Sequence, residues 1–273
     1  MAGVARVPGP SLRSRAGDCG GARRVRGGHK LRHVRIALVS DLHGNAVAFR
    51  AALADLEAHE PDLIVSLGDV AQGGPQPREC VDLLQELDCP CVYGNSDDYL
   101  LTLDFGAEET EDEEQRQRLL TTAHWSREQL GSDGLAFLRR FEPTVNAGRL
   151  VCCHATPSSN EDVILPATPL EDVERALADA DADAVATGHV HLQWLRRVGR
   201  VLWFSVGSVG LVWEHKEPLD RVPFEPFSEY ALVDDENLAV EFRRIPFDVE
   251  ELISAARAKD FPGFDRWAEL WKR

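Results

Sequence analysis

The chain has 273 residues, of which 44% are hydrophobic and 28% are charged, and its formal net charge is −16. This length and composition predict one globular domain with a large buried core, at the upper end of single-domain sizes. No run approaches the roughly twenty apolar residues that a membrane-spanning helix needs, which excludes a membrane-embedded protein.

The N-terminal segment is basic and has no apolar run. Its first 35 residues contain eight Arg and Lys30 against Asp18, together with many Gly and Pro. Such a composition cannot bury enough apolar surface to fold, so we expect residues 1–33 to form a disordered extension and residues 34–273 to form the domain. We expect no secretory signal in this segment because it lacks the apolar core of one. An upstream extension or a misassigned start fits better than an organellar transit peptide.

The predicted domain is strongly acidic. Because the whole chain carries −16 and its first 35 residues carry +8, residues 36–273 carry −24. Such a field repels nucleic-acid backbones but tolerates divalent cations and the small phosphorylated molecules that they accompany. We therefore expect a small phosphorylated substrate and no bulk nucleic acid, while the sequence leaves the oligomeric state open.

The six cysteines indicate a reducing compartment. They include a CPC at 89–91 and an adjacent pair at 152–153, neither of which has the CxxC spacing of zinc sites. Reduced, buried thiols are the simplest interpretation, and they predict a cytoplasmic protein.

Strands and helices alternate in the first half of the chain. The run VRIALVS (34–40) is typical of a strand that is covered on both faces. Apolar residues then recur at helical spacing over 46–58, and a second apolar strand follows at 63–67. The pattern repeats with a helix at 77–87 and a strand at 90–93. This order predicts parallel strands with crossover helices.

The second half is mostly β. An acidic loop and helices over about 106–140 are predicted to form a cap. Two strands are expected within 144–153, further strands at 184–187, 193–197, 200–206, 230–234 and 238–244, and helices at 169–180, 248–258 and 263–271. Hairpins after a parallel first half predict an α/β fold of two packed mixed sheets flanked by helices.

Potential ligands follow these strands. The loops at the C-terminal ends of strands in α/β sheets converge on one crevice, so side chains that are distant in sequence become neighbours there. Carboxylates can bridge two metal ions, and imidazoles can complete each coordination shell. The candidate metal ligands are Asp41, His43, Asp69, Asn95, His154, His189 and His191.

The local spacing favours the same interpretation. Asp41 and His43 are at i and i+2, and on an extended segment both side chains would leave on one side. His189 and His191 repeat this spacing, and neighbouring glycines give the backbone room to turn. A single Asp caps a helix more often than it binds a metal, and a single His more often packs in the structure. Only the whole set of seven residues is therefore a strong signal of a metal site.

The series DLHGN (41–45), GD (68–69), GNSD (94–97), His154 and GHVH (188–191) resembles the calcineurin-like metallophosphoesterases over residues 34–245. The resemblance implies a four-layer αββα sandwich that binds two divalent metal ions, which could be Mn, Fe, Zn, Ni or Mg; we expect Mn to serve best in vitro. It implies a first metal site of Asp41, His43, Asp69 and His191. It implies a second site of Asp69, Asn95, His154 and His189.

The chain departs from this family at Ser96, where the usual residue is the His thought to protonate the leaving group or to steady the phosphate. Serine cannot act as a general acid near pH 7. Some bacterial and archaeal members that resemble phosphodiesterases also lack this His. His124 in the predicted cap is a candidate substitute, although packing is its commoner role. Since the GDxVDRG and GNHE signatures are missing, a phosphoprotein substrate is disfavoured.

The leading hypothesis is hydrolysis of a phosphodiester or phosphomonoester of a small molecule or nucleotide. Two cations would activate a bridging hydroxide, and Asp69, Asn95 and His154 would take part in catalysis. The alternative is a catalytically weak or inactive interaction module on the same fold, like the retromer small subunit. A dehydrogenase is disfavoured because no GxGxxG follows the first strand.

Overall fold

A computed structural model describes residues 34–105, 113–178, 180–213 and 223–272. The predicted disordered extension (1–33) and most of the predicted acidic loop lie outside these residues. In the part of the chain that is described, no helix combines the length and apolar character needed to cross a bilayer.

Two mixed β-sheets form the centre of the fold, which confirms the predicted architecture. One sheet has the strand order β11-β10-β1-β2 and the other β3-β4-β5-β7-β6, with β8 and β9 paired separately. The strands are β1 (Arg35–Val39), β2 (Leu63–Ser66), β3 (Thr144–Ala147), β4 (Leu150–Cys153), β5 (Ala184–Thr187), β6 (Gln193–Val198), β7 (Val201–Val206), β8 (Val212–Trp213), β9 (Phe224–Glu225), β10 (Phe227–Asp234) and β11 (Val240–Pro246).

Helices cover the outer faces of both sheets. Their bounds are α1 (Ala46–His59), α2 (Pro77–Leu87), α3 (Asn95–Thr102), α4 (Glu113–Leu138), α5 (Leu170–Ala176), α6 (Val249–Ala258) and α7 (Phe264–Glu269). In one apolar cluster, the four helices α1, α2, α3 and α4 pack against the first sheet. A second cluster fills the space between the two sheets, and in a third α5 packs against the second sheet. These clusters define the four layers.

Short local signals set the crossover between β1 and β2. The side chain of Asn45 accepts a hydrogen bond from the backbone N–H of Ala48 at 3.0 Å, which caps the N-terminus of α1. The strands β1 and β2 then pair in parallel, with Ile36 opposite Leu63. Because the two strands run the same way, the loops that follow them emerge at the same edge of the sheet.

The structure differs from the sequence prediction in three places. The expected strand at 90–93 is reduced to two isolated bridges, from Cys91 to Ser66 and from Val92 to Glu142. The segment from Asn95, expected to be a loop, is α3; its first turn is held by Asp97, whose carboxylate accepts from Gly94 N–H at 3.0 Å. The short pair β8 and β9 was not predicted either. The bridges and the pair β8 and β9 depend on partners that are distant in sequence, and α3 depends on a local polar cap, so the apolar pattern of the sequence does not predict them.

We predict that Phe204→Ala destabilises the protein by about 3–5 kcal/mol, because Phe204 is fully buried between the sheets and its removal leaves a cavity. Leu195→Ala is the matched control. Leu195 lies opposite Phe204 on the edge strand β6 and is 49% exposed, so its loss should cost about 1 kcal/mol or less. Urea unfolding measures both variants, and equal losses would contradict the assignment of the core.

Candidate metal centre

The seven predicted ligands meet at one end of the sandwich. Asp41 and His43 follow β1, Asp69 follows β2, and His154 directly follows β4. His189 and His191 come after β5, and Asn95 is the first residue of α3. Hydrogen bonds continue the β1–β2 pairing into the loops, from Asp41 N to Gly68 O and from His43 N to Asp69 O, both at 2.9 Å.

A first group of side chains surrounds Asp41. Its Oδ1 lies 3.2 Å from His191 Nε2 and 3.8 Å from His43 Nε2. The two imidazole Nε2 atoms are 3.1 Å apart, and His43 Nε2 lies 3.6 Å from Asp69 Oδ2. These are the four residues that the resemblance assigns to the first metal.

A second group surrounds Asn95. Its Oδ1 lies 3.0 Å from His154 Nε2 and 3.1 Å from His189 Nδ1. His154 Nε2 is also 3.5 Å from Asp69 Oδ1. Asp69 therefore belongs to both groups, with one carboxylate oxygen near each, as a shared ligand requires.

Backbone carbonyl groups orient the imidazole rings. The Nδ1 atoms of His43 and His154 lie 2.7 Å from the carbonyl oxygens of Gln72 and Leu67, and His191 Nδ1 contacts that of Leu211. A nitrogen beside a carbonyl oxygen carries the hydrogen, so in a neutral ring Nε2 presents its lone pair to the centre.

His189 has the opposite orientation. Its Nε2 lies 3.1 Å from the carbonyl oxygen of Glu161, so the inward nitrogen is Nδ1. Burial and the positive charge of His154 lower the pKa of His189 to about 4, which keeps this ring neutral. Burial and His191 also hold the pKa of His43 below its ordinary value.

A divalent cation fits this arrangement. The Nε2 atoms of His43 and His191 lie 3.1 Å apart. When Nδ1 of each ring carries the only hydrogen, both Nε2 atoms present a lone pair to the space between them. Asp41 Oδ1 is buried, and no hydrogen-bond donor for it is found among the described residues. A cation held by such imidazole and carboxylate atoms would satisfy both, as in mixed nitrogen and oxygen sites for transition metals.

The charges of the carboxylates and imidazoles are mutually dependent. Burial alone would raise the pKa of Asp69, but the positive charge of His154 outweighs it and holds that pKa well below its usual range. Burial would likewise lower the pKa of His154, whereas the charge of Asp69 raises it to about 9. The proton on His154 compensates the buried carboxylate of Asp69 here, a role that bound cations would take over.

The backbone at the site corrects one expectation. Asp41 and His43 do not lie on an extended segment, nor do His189 and His191. Five of the seven ligands have left-handed φ values, which non-glycine residues adopt rarely and at a cost. They are Asp41 (55°), His43 (45°), Asp69 (57°), His189 (65°) and His191 (50°). Each i, i+2 pair converges through two left-handed turns.

Two glycines allow close approach, as the sequence predicts. A Cβ atom on Gly94 would overlap Asp69 Oδ1, and one on Gly188 would overlap Ser40 Oγ and Asp41 Oδ2. At both positions the backbone passes directly against a candidate ligand, so no larger residue fits without displacing it.

Comparison with known proteins identifies the family. A model of the calcineurin-like phosphoesterase superfamily domain matches residues 34–222. The chain belongs to this superfamily. The resemblance inferred from the motifs is thereby confirmed.

Individual relatives are distant in sequence. An uncharacterized protein of Methanocaldococcus jannaschii is 24% identical over 231 residues, which cover 79% of this chain and 89% of that protein. A metallophosphoesterase from Sphaerobacter thermophilus has a TM-score of 0.68 and 22% identity, with 87% and 99% of the two chains covered. A hypothetical protein from Pyrococcus horikoshii has a TM-score of 0.73 and 20% identity, with 87% and 98% covered. These structures share the fold.

Where members of the superfamily usually carry His, Ser96 contacts the shared carboxylate. Its backbone N–H donates to Asp69 Oδ1 at 2.9 Å and its hydroxyl donates to Asp69 Oδ2 at 2.8 Å. His124, the suggested substitute, is exposed on α4, and none of the hydrogen bonds and ion pairs found among the described residues joins it to the site.

Sequence reasoning missed the role of Asp97. This fully buried carboxylate accepts from the backbone N–H groups of Asp69 at 2.9 Å and of Val70 and Gly94 at 3.0 Å. Burial, aided by the charge of Asp69, raises its pKa to about 7. Its position within GNSD was a signal, because the superfamily pattern has an acidic residue there.

A cavity of about 260 Å³ lies beside the centre and was not predicted either. Trp213 packs on the ring of His191, with the ring centroids 4.0 Å apart. Glu229 and Arg244 also line this cavity. Burial raises the pKa of Glu229 to about 7 although Arg244 opposes the shift. The space suits a small group next to the candidate ligand His191.

We predict that Asp97→Asn lowers the free energy of unfolding by about 1–3 kcal/mol, because an amide cannot accept all three backbone hydrogen bonds. The displaced Asp69 loop should also weaken Mn²⁺ binding about 10–100-fold. Urea unfolding and calorimetric titration with Mn²⁺ measure these effects. Asp98→Asn, at the half-buried neighbour, is the control; an equal effect in both variants would refute the role of Asp97.

Proposed function

We propose that this protein is a metal-dependent phosphoric ester hydrolase that holds two divalent cations and acts on a phosphodiester or phosphomonoester of a small molecule or nucleotide. One observation carries the proposal: two groups of imidazoles with carboxylates or an amide share Asp69. The calcineurin-like phosphoesterase family supports hydrolysis as the reaction.

The candidate ligands have different tasks. Asp41 and Asp69 supply negative charge, the imidazoles supply oriented lone pairs, and Asn95 supplies a neutral oxygen that keeps the second group more positive. Two bound cations would provide Lewis acidity and lower the pKa of water enough to yield a nucleophile near neutral pH. We expect Asp69, Asn95 and His154 to take part in catalysis. Asp69 connects the two groups, whereas Asn95 and His154 belong to the second.

The proposed substrate is small. Residues 36–273 carry −24, which disfavours a nucleic-acid polymer as the ligand, whereas a small phosphate ester can approach together with its cations. The cavity beside His191, at about 260 Å³, can take a small organic group. Neither Ser96 nor His124 is placed to protonate the leaving oxygen, so esters with good leaving groups should react fastest.

The proposed compartment is the cytoplasm. Five cysteines among the described residues form no disulfide, and four of them are buried. Burial raises the pKa of Cys152 to about 12, so its thiol is unreactive. Such thiols are compatible with a reducing environment.

The alternative is an interaction module without activity on the same fold. Seven polar side chains, most of them buried, converge at this site, and burying them costs free energy unless a ligand such as a metal ion compensates them. This cost favours the metal-dependent enzyme over the inactive module. Metal content distinguishes the two, because the enzyme should retain close to two equivalents of Mn²⁺ after gel filtration and the module should not.

We predict that the Mn²⁺-loaded protein hydrolyses bis(p-nitrophenyl) phosphate or p-nitrophenyl phosphate and that Asp69→Asn reduces kcat/KM by more than about 100-fold. The substitution removes the charge that both groups share. His124→Ala, on exposed α4, is the control and should leave kcat/KM unchanged. Absence of hydrolysis with Mn, Fe, Zn, Ni and Mg alike, across both substrate types, would refute the proposed activity.

A further inference from the structure

We propose that Ser96 is a positioning residue that fixes the carboxylate plane of Asp69 so that one oxygen faces each metal group. The inference rests on the proposed metal-dependent hydrolysis. It assigns to Ser96 a task other than proton donation to the leaving group.

Ser96 engages both oxygens of the same carboxylate. Its N–H reaches Asp69 Oδ1 at 2.9 Å, and its hydroxyl reaches Asp69 Oδ2 at 2.8 Å. A single hydrogen bond would leave the carboxylate free to rotate about its Cβ–Cγ bond, whereas two donors on two different oxygens prevent that rotation. Both residues are more than 90% buried, so water does not compete for these bonds.

The fixed plane has a consequence for the metal groups. Asp69 Oδ1 faces His154 Nε2 at 3.5 Å, and Asp69 Oδ2 faces His43 Nε2 at 3.6 Å. A carboxylate has about four lone-pair sites, two on each oxygen. Ser96 occupies one on each oxygen, and one on each remains for a cation. A rotated carboxylate would direct neither oxygen correctly.

The donors of Ser96 are themselves held in place. Ser96 lies in the first turn of α3, where backbone N–H groups have no partner within the helix. The next residue, Asp97, binds the backbone of Asp69 and of Gly94. The bond to Asp69 fastens the start of α3 to the Asp69 loop, and the bond to Gly94 closes the turn that contains Ser96.

Mn²⁺ titration by calorimetry tests the proposal. We expect Ser96→Ala to raise the Kd for Mn²⁺ about 10–100-fold, as loss of an outer-shell hydrogen bond does, and Ser96→Thr to restore it within a few-fold. At saturating Mn²⁺, Ser96→Ala should regain most of kcat and show the wild-type dependence of rate on leaving-group pKa. Ser66→Ala is the control: Ser66 is buried on β2, and its hydroxyl has no hydrogen-bond partner in the part of the chain that the structure describes.

Three results decide the matter. An unchanged Kd in Ser96→Ala overturns the proposal. A loss of kcat confined to poor leaving groups also overturns it, because it marks Ser96 as a proton donor. A raised Kd that Ser96→Thr restores supports the positioning role even if no ester is hydrolysed, in which case only the proposed activity fails. Thermal unfolding of each metal-free variant separates these results from loss of the fold.

Discussion

The shared carboxylate of Asp69 is the group on which the rest of the centre depends. Placing an ionised carboxylate in the interior costs several kcal/mol unless hydrogen bonds and opposite charge compensate it. Ser96 supplies two hydrogen bonds, and the protonated imidazole of His154 supplies the charge in the absence of a cation. The surrounding loops are therefore built to hold one buried anion, and a divalent cation is the partner that compensates it without a proton. Asp41, which is fully buried beside His191, poses the same requirement on the other side.

This requirement also accounts for the strained backbone. Left-handed conformations at non-glycine residues cost of order 1–3 kcal/mol each and persist only where the surroundings fix them. Here the surroundings are the two sheets: β1 lies between β2 and β10, and backbone hydrogen bonds continue from β1 into the Asp41–Gly44 loop. Strands that are buried on both faces thus provide a rigid support, which holds the loops in conformations that direct their side chains toward the centre.

The sequence was most informative where burial alone determines structure. The helix 77–87 and the strand 184–187 were predicted with the bounds that the structure has, because an apolar stripe or a short apolar run is sufficient for each. The candidate metal ligands were predicted from motifs, but the left-handed turns that aim them were not. Asp and His are enriched in that conformation, yet they adopt it too rarely for their presence to predict it. The role of Trp213 was missed because its contact with the ring of His191 arises only in the fold. That of Asp97 was missed, although GNSD carried a signal, because its bonds to Asp69 and Val70 join residues that are distant in sequence.

The C-terminal part of the chain helps to position the residues of the candidate metal centre. The family match ends at residue 222, yet β10 pairs with β1 and so fixes the strand that leads to Asp41. Aromatic contacts run from His191 through Trp213 and Phe224 to Trp271 beside α7, with ring centroids between 4.0 and 6.2 Å apart. Aromatic pairs contribute about 0.5–1.5 kcal/mol each beyond the area they bury. Since His191 is held on one face by this chain of rings and at Nδ1 by the carbonyl of Leu211, the orientation of a candidate ligand depends on residues that no ligand motif contains.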